Sequence, residues 1–254
     1  MKYHRDQYLL AVFQIIAHVA LLHVIIYGTW WDWLTTLTGF FLLGCLGAAM
    51  TLHRLLAHRS WNSPKWFEVV GTVLANLSLV GSSIAWVALH RQHHRYADKE
   101  GDPHRPHEGF LKSQWGLIFE TPNLKYATDL MRSPLHIFLH KYYFLIAISL
   151  ILSLCLIDPM LAASLYLAPA ALVYTIGGAI NSLSHSDHLG YRNYETRDNS
   201  KNIPVLGYLM WGEGWHNNHH ARPMDPYLGK MWWELDISGL TIKLLSVKND
   251  HLNK

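Results

Sequence analysis

The histidines of this chain fall at spacings that could hold metal ions. His53 and His58 bound the stretch HRLLAH, His90, His93 and His94 lie in HRQHH, and His216, His219 and His220 lie in HNNHH. The second and third stretches share the spacing i, i+3, i+4, which on a helix gathers three imidazoles onto one face. Histidine is abundant here, 18 in 254 residues. Even so, at roughly 0.07 per position a given triple pattern is expected only about 0.1 times in such a chain, so two copies argue for a shared purpose. A fourth element, NSLSH, sets Asn181 and His185 four residues apart. Eight boxed histidines and His185 exceed the about four to six ligands that one ion takes, and suit two ions. Imidazole serves zinc, copper, iron and nickel alike. Cys45 and Cys155 both lie in apolar runs, and a set without thiolates or abundant carboxylates is unlike a structural zinc knot. Asp98, Glu100, Asp102 and Glu213 lie near the boxes and could accept the far-side imidazole protons. Isolated histidines such as His18 and His23 read as hydrogen-bonded structural residues.

The elements that must position these groups are apolar. Lys and Arg are absent from residues 8–28, 34–52 and 142–183. Each run can cross about 30 Å of hydrocarbon at roughly 1.5 Å per residue, and the last can cross twice, with a turn at Asp158-Pro159. The sequence thus predicts an all-α integral membrane fold. Four transmembrane helices, at about 8–28, 34–52, 142–157 and 162–183, form two hairpins, and a cytosolic helical cap (53–141 and 184–254) carries a di-metal site. The outer loops, Gly28 to Trp33 and Asp158 to Met160, hold none of the 21 basic residues. The positive-inside bias therefore puts both termini and the metal site in the cytoplasm. Trp30, Trp31 and Trp33 suit an outer aromatic belt. Segment 66–89 is long enough to span, but a crossing would send the boxes to opposite compartments. It is expected to lie at the interface or to dip and return. The scattered basic residues suit contact with membrane lipids and carry no nucleic-acid-binding motif.

HRLLAH, HRQHH and GEGWHNNHH, with NSLSH, GYRNYETRDNS and the DPH at 102–104, resemble the stearoyl-CoA desaturase and bacterial acyl desaturase family. The resemblance runs from the first hairpin onward and implies a single membrane domain over 1–254. It implies two Fe ions held by His53, His58, His90, His93, His94, His185, His216, His219 and His220, with Asn181 reaching one iron through a water. In relatives the GYR element is expected about three residues after the NSxxH histidine. Here four residues intervene, which leaves His188 as a substitute ligand for His185. The implied activity is oxygen-dependent introduction of a double bond into a fatty acyl chain carried on CoA, a carrier protein or a lipid. A separate electron donor is implied, such as ferredoxin or a cytochrome b-type protein. Hydroxylation, acetylenation or oxidative decarboxylation on the same site are the alternatives. A histidine-rich metal transporter would need a polar path that the last three spans lack. The resemblance also places the closed end of the acyl tunnel at Phe41 and Cys45.

Overall fold

The structure, a computed structural model, describes residues 2–104 and 108–247. Met1 and residues 248–254, with the expected siting of the chain ends, lie outside them. Among the described residues the fold is helical, without strands. Only isolated bridges occur, Tyr191 with Asn202 and Asn202 with Trp215.

Helix α1 (Lys2–Tyr27) shows Ile15, Val19, Leu22 and Ile26 on its surface. An apolar surface of that length is stable against lipid and unstable in water. Helix α2 (Trp30–Ala57) begins where Thr29 and Asp32 cap each other, the Thr29 amide donating to Asp32 Oδ2 at 2.8 Å. It runs past the expected end at residue 52, because no proline or turn intervenes and Arg54 finds buried carboxylates. From Phe41 to Ala57 it is wound as a π-helix. Next come α3 (Lys65–Leu77) and α4 (Ser83–Tyr96), which divide segment 66–89. Gly81 at φ +110° turns the chain, and Asn76 Oδ1 accepts from the Ser83 amide at 3.0 Å. Neither half is among the helices long enough to cross a membrane.

Helix α5 (Phe110–Trp115) lies against the last span. Helix α6 (Pro134–Lys141) meets α7 (Tyr143–Ile157) at a 68° bend, and together they pass for one broken span. Asp158 and Pro159 start α8 (Pro159–Leu183), the last long apolar helix. Among the described residues three helices are fit to cross a membrane, or four with the bent pair. Short helices α9 (Pro204–Leu209), α10 (His216–Ala221) and α11 (Ile237–Leu245) complete the cap. The main core lies between α1, the outer half of α2, α7 and α8. A second cluster, including Leu52, Leu56, Ala75, Ile84, Val87 and Leu130, joins the inner end of α2 to α3, α4 and the 3₁₀ turns after α5.

Candidate metal centre

Each histidine arrives on an element with a physical reason to be there. On an α-helix, residues five apart point about 140° away from each other. The π-wound end of α2 narrows that angle. The His58 amide donates to the His53 carbonyl at 3.1 Å, and the two rings lie 4.9 Å apart. Arg91 ties α4 to this end: its guanidinium donates to the carbonyls of Leu56 (2.7 Å) and Ala57 (2.9 Å) while pairing with Asp129 at 2.7 Å. It thereby satisfies carbonyls that a helix end leaves open. Helix α10 is placed by a tight turn, Trp211 at φ +57° and Gly212 at φ +112°. A side chain at Gly212 would meet Asp236 Oδ1 at 2.2 Å. Asp236 and Glu213 flank the buried Arg54, each 2.8 Å from its guanidinium, so the third box is anchored to the residue beside His53.

All nine predicted histidines come together, in two groups whose ligand atoms lie within 4.8 Å of one another: His53, His58, His90, His94 and His219, and His93, His185, His216 and His220. Both triplets divide in the same way. The i, i+4 pair, His90 with His94 and His216 with His220, enters one group, and the i+3 histidine enters the other. A helix explains this, since residues four apart are separated by about 40° and the i+3 residue falls on the other side of the first.

Within the first group, His58 Nε2 lies 2.8 Å from His90 Nε2, and His219 Nε2 lies 2.9 Å from both His53 Nε2 and His94 Nε2. In the second, His185 and His216 approach at 3.1 Å and His93 and His220 at 3.4 Å, again through Nε2. Four of the nine face a carboxylate on the far side. His93 Nδ1 donates to Asp102 Oδ1 and His220 Nδ1 to Asp198 Oδ2, both at 2.9 Å. His185 Nδ1 stands 3.0 Å from Asp98 Oδ1, and His53 Nδ1 touches Glu213.

Burial pushes His58, His90, His94, His216, His219 and His220 well below the ordinary imidazole range, and the neighbouring imidazoles add to this. Asp102 and Asp198 are held well below the usual carboxylate range: burial, the largest single effect, works to raise them, but the hydrogen bonds and charge attraction of His93 and His104 on Asp102, and of His220 and Ser200 on Asp198, together outweigh it. A neutral imidazole that gives its Nδ1 proton to a carboxylate keeps a lone pair on Nε2. His93 and His220 both donate Nδ1–H to carboxylates, so their Nε2 lone pairs meet at 3.4 Å and repel unless a cation lies between them; the donor set fits metal.

Of the acidic residues picked out in the sequence, Asp98, Asp102 and Glu213 meet imidazoles, and Glu100 is exposed. Asp198 went unrecognised. It lies within GYRNYETRDNS, but a partner 22 residues from its histidine leaves no spacing signature. His188 is exposed, whereas His185 is buried within the second group. The intervening residues are accommodated in the bends that follow His185.

A mainly apolar cavity opens beside the histidines. It is lined by His53 and His90 of one group and His216 of the other, with Asn181, Trp86, Ala48, Ala49, Val173 and Met210 among its other walls. It adjoins a second cavity, and the two share Val80, Trp86, Leu117 and Tyr174. Phe41 and Cys45 are not in either lining. Phe41 packs edge-on to Trp211 at 5.4 Å, and Cys45 is fully buried with its Sγ 3.4 Å from Ser238 Oγ.

The sequence model of the fatty acid desaturase family matches residues 7–236. The chain belongs to the fatty acid desaturase family. It is similar to the sn-1 stearoyl-lipid 9-desaturase of Anabaena variabilis, 35% identical over 215 residues that cover 82% of this chain and 78% of the relative. Delta-9 acyl-lipid desaturase 2 of Arabidopsis thaliana is 36% identical over 230 residues, 87% of this chain and 74% of that one. The sn-2 palmitoyl-lipid 9-desaturase of Nostoc sp. (strain 36) is 35% identical over 216 residues, 80% of this chain and 74% of that one. This desaturase is accordingly a membrane oxidoreductase that acts on a fatty acyl or lipid substrate.

Proposed function

We propose that this desaturase uses two irons and dioxygen to introduce a double bond into the acyl chain of a glycerolipid. His53, His58, His90, His94 and His219 would hold one ion, and His93, His185, His216 and His220 the other, with Asn181 reaching it through a water. The observation that carries the reading is the cavity: its lining includes histidines of both groups beside apolar walls. When bound, the irons supply the oxidising power to remove two hydrogens from adjacent methylenes, with dioxygen as oxidant and electrons from a separate ferredoxin or cytochrome b-type donor.

The protein's share is placement and exclusion of water. Trp86 stacks on His90, with centroids 4.7 Å apart and planes 12° from parallel, and gives the cavity a flat apolar wall beside the first group. Asn181 contributes a polar side chain to the same cavity. The stearoyl-lipid and palmitoyl-lipid substrates for which the relatives are named support a lipid-linked acyl chain over CoA. The absence of Lys and Arg from the turns at Gly28 and Asp158 supports a cytoplasmic site.

The test is expression in a host of simple lipid composition, followed by mass spectrometry of total and lipid-class fatty acids and by iron analysis of the purified protein. New monounsaturated chains on intact lipid and about two irons per chain are expected from the two ligand groups. Absence of any new unsaturated chain from a protein loaded with iron refutes the reading.

A further inference from the structure

The wall of the cavity contributed by α8 has a gap in it. Val173, Gly177 and Asn181 follow one another at intervals of four along the helix and all line the cavity, and the next step of four is His185 of the second metal group. Residues four apart lie nearly one above another, about 6 Å along the axis. Gly177 therefore stands about 6 Å from Asn181, between it and Val173, with His185 in the turn just past the end of the helix.

The two adjacent glycines of α8 differ in their surroundings. A Cβ at Gly178 would meet Gln114 Nε2 at 2.5 Å. That glutamine is fixed in place, its amide donating to the Thr175 carbonyl at 2.9 Å and its oxygen accepting from Ser182 at 3.1 Å. The room at Gly178 is thus filled by α5 packing on α8. A Cβ at Gly177 would meet nothing within 4 Å. No neighbouring side chain takes up that room, and the open space it borders is the cavity.

We propose that Gly177 is a specificity-determining residue: its missing side chain keeps open the passage from the metal-side end of the cavity to its Val173 end, and so sets how much acyl chain can lie beyond the reacting carbons. This rests on the reading of the cavity as the acyl site. Any side chain here projects into the path of the substrate while leaving the metal ligands and the Gln114 packing untouched. Its size then decides how many methylenes pass. A hydrophobic pocket discriminates about 10- to 200-fold for each methylene it must refuse or seat, so even one added methyl should be measurable.

The experiment compares wild type with Gly177→Ala, Gly177→Val and Gly177→Leu in cells fed an equal mixture of saturated acids from short to long. Unsaturated products and iron content are measured for each. The expected result is a graded shift toward shorter products. The ratio of long to short product should fall at least about 10-fold from wild type to Gly177→Val, with iron unchanged. If Gly177→Leu fails to accumulate, the alanine and valine variants decide. An unchanged product profile in an active, iron-loaded Gly177→Val overturns the proposal and leaves the desaturase reading standing. Failure of that reading would be seen instead in wild type, as iron-loaded protein without unsaturated product. Gly178→Ala is the contrast: it should lower protein yield or thermal stability through its clash with Gln114, without a graded change of chain length. A chain-length shift equal to that of Gly177→Ala would mean that general distortion of α8, and not the gap, sets the profile, and would also overturn the proposal.

Discussion

Replacing Asp102 by asparagine exchanges one carboxylate oxygen for an NH2 group with little change of shape, yet the surroundings allow that group no comfortable orientation. Oδ1 accepts from His93 Nδ1 and from the His104 amide, each at 2.9 Å, and Oδ2 accepts from the Asp98 amide at 2.9 Å. Three donors converge on the two oxygens, and the side chains of His93 and Asp102 are fully buried. Asparagine has one oxygen. If it faces His93, the NH2 confronts the Asp98 amide and disturbs the residue that stands beside His185. If it is flipped, the NH2 confronts the His104 amide and drives the His93 proton from Nδ1 to Nε2, where it blocks a ligand atom. Leaving a buried donor unsatisfied costs about 1–3 kcal/mol, or about 5- to 140-fold at 1.4 kcal/mol per decade. That overlaps the 10- to 100-fold loss typical when the hydrogen-bond partner of a metal-binding histidine is removed. The assay is competition between purified protein and a graded series of iron chelators, with the thermal midpoint of the metal-free protein followed in parallel to separate folding from binding. Asp102→Asn should release the ion of the second group at roughly 10- to 100-fold lower chelator strength, while Glu100→Gln, at an exposed position, should match wild type. Wild-type iron retention in Asp102→Asn would refute the claim that this carboxylate fixes the His93 tautomer.

His94 and His220 fall in different groups, so His94→Ala and His220→Ala should each abolish the unsaturated product while the protein stays in the membrane, each lowering iron toward one ion per chain; full activity in either would remove that residue from the site. Phe41→Ala and Cys45→Leu should leave the product profile as in wild type because neither residue lines the cavity, although Cys45→Leu should overpack the Ser238 contact and cost about 1–3 kcal/mol of stability, read as a lower thermal midpoint in detergent. A changed chain length in either variant would return the tunnel end to that stretch of α2. Arg91→Lys keeps the charge but loses the fork that reaches Leu56, Ala57 and Asp129. It should cost about 1.5–3 kcal/mol and loosen iron in the first group more than in the second, an order that sequential release to chelator would expose.

Much of this protein can be read from local spacing. A long run without charge is held to a helix by the cost of unpaired backbone groups in lipid, so the membrane helices announce themselves. A triplet at i, i+3, i+4 converges on any helix, so the expectation that His90, His93 and His94 face metal needs no tertiary knowledge. The sequence could not say how the imidazoles are divided between two groups, because that depends on where α2, α4, α8 and α10 meet, and their histidines lie up to 166 residues apart in the contacts they make. Asp198 was invisible for the same reason, since the loop that brings it to His220 has no period. Phe41 and Cys45 lie on α2 outside the lining of both cavities, and the winding of that helix was not legible in the sequence because apolar residues tolerate α- and π-winding alike. The winding of α2 is settled by its inner end, where Arg54 lies between Glu213 and Asp236 and His53 meets His219. Pairwise contacts between distant segments fix that rotation, and they exist only in the folded chain.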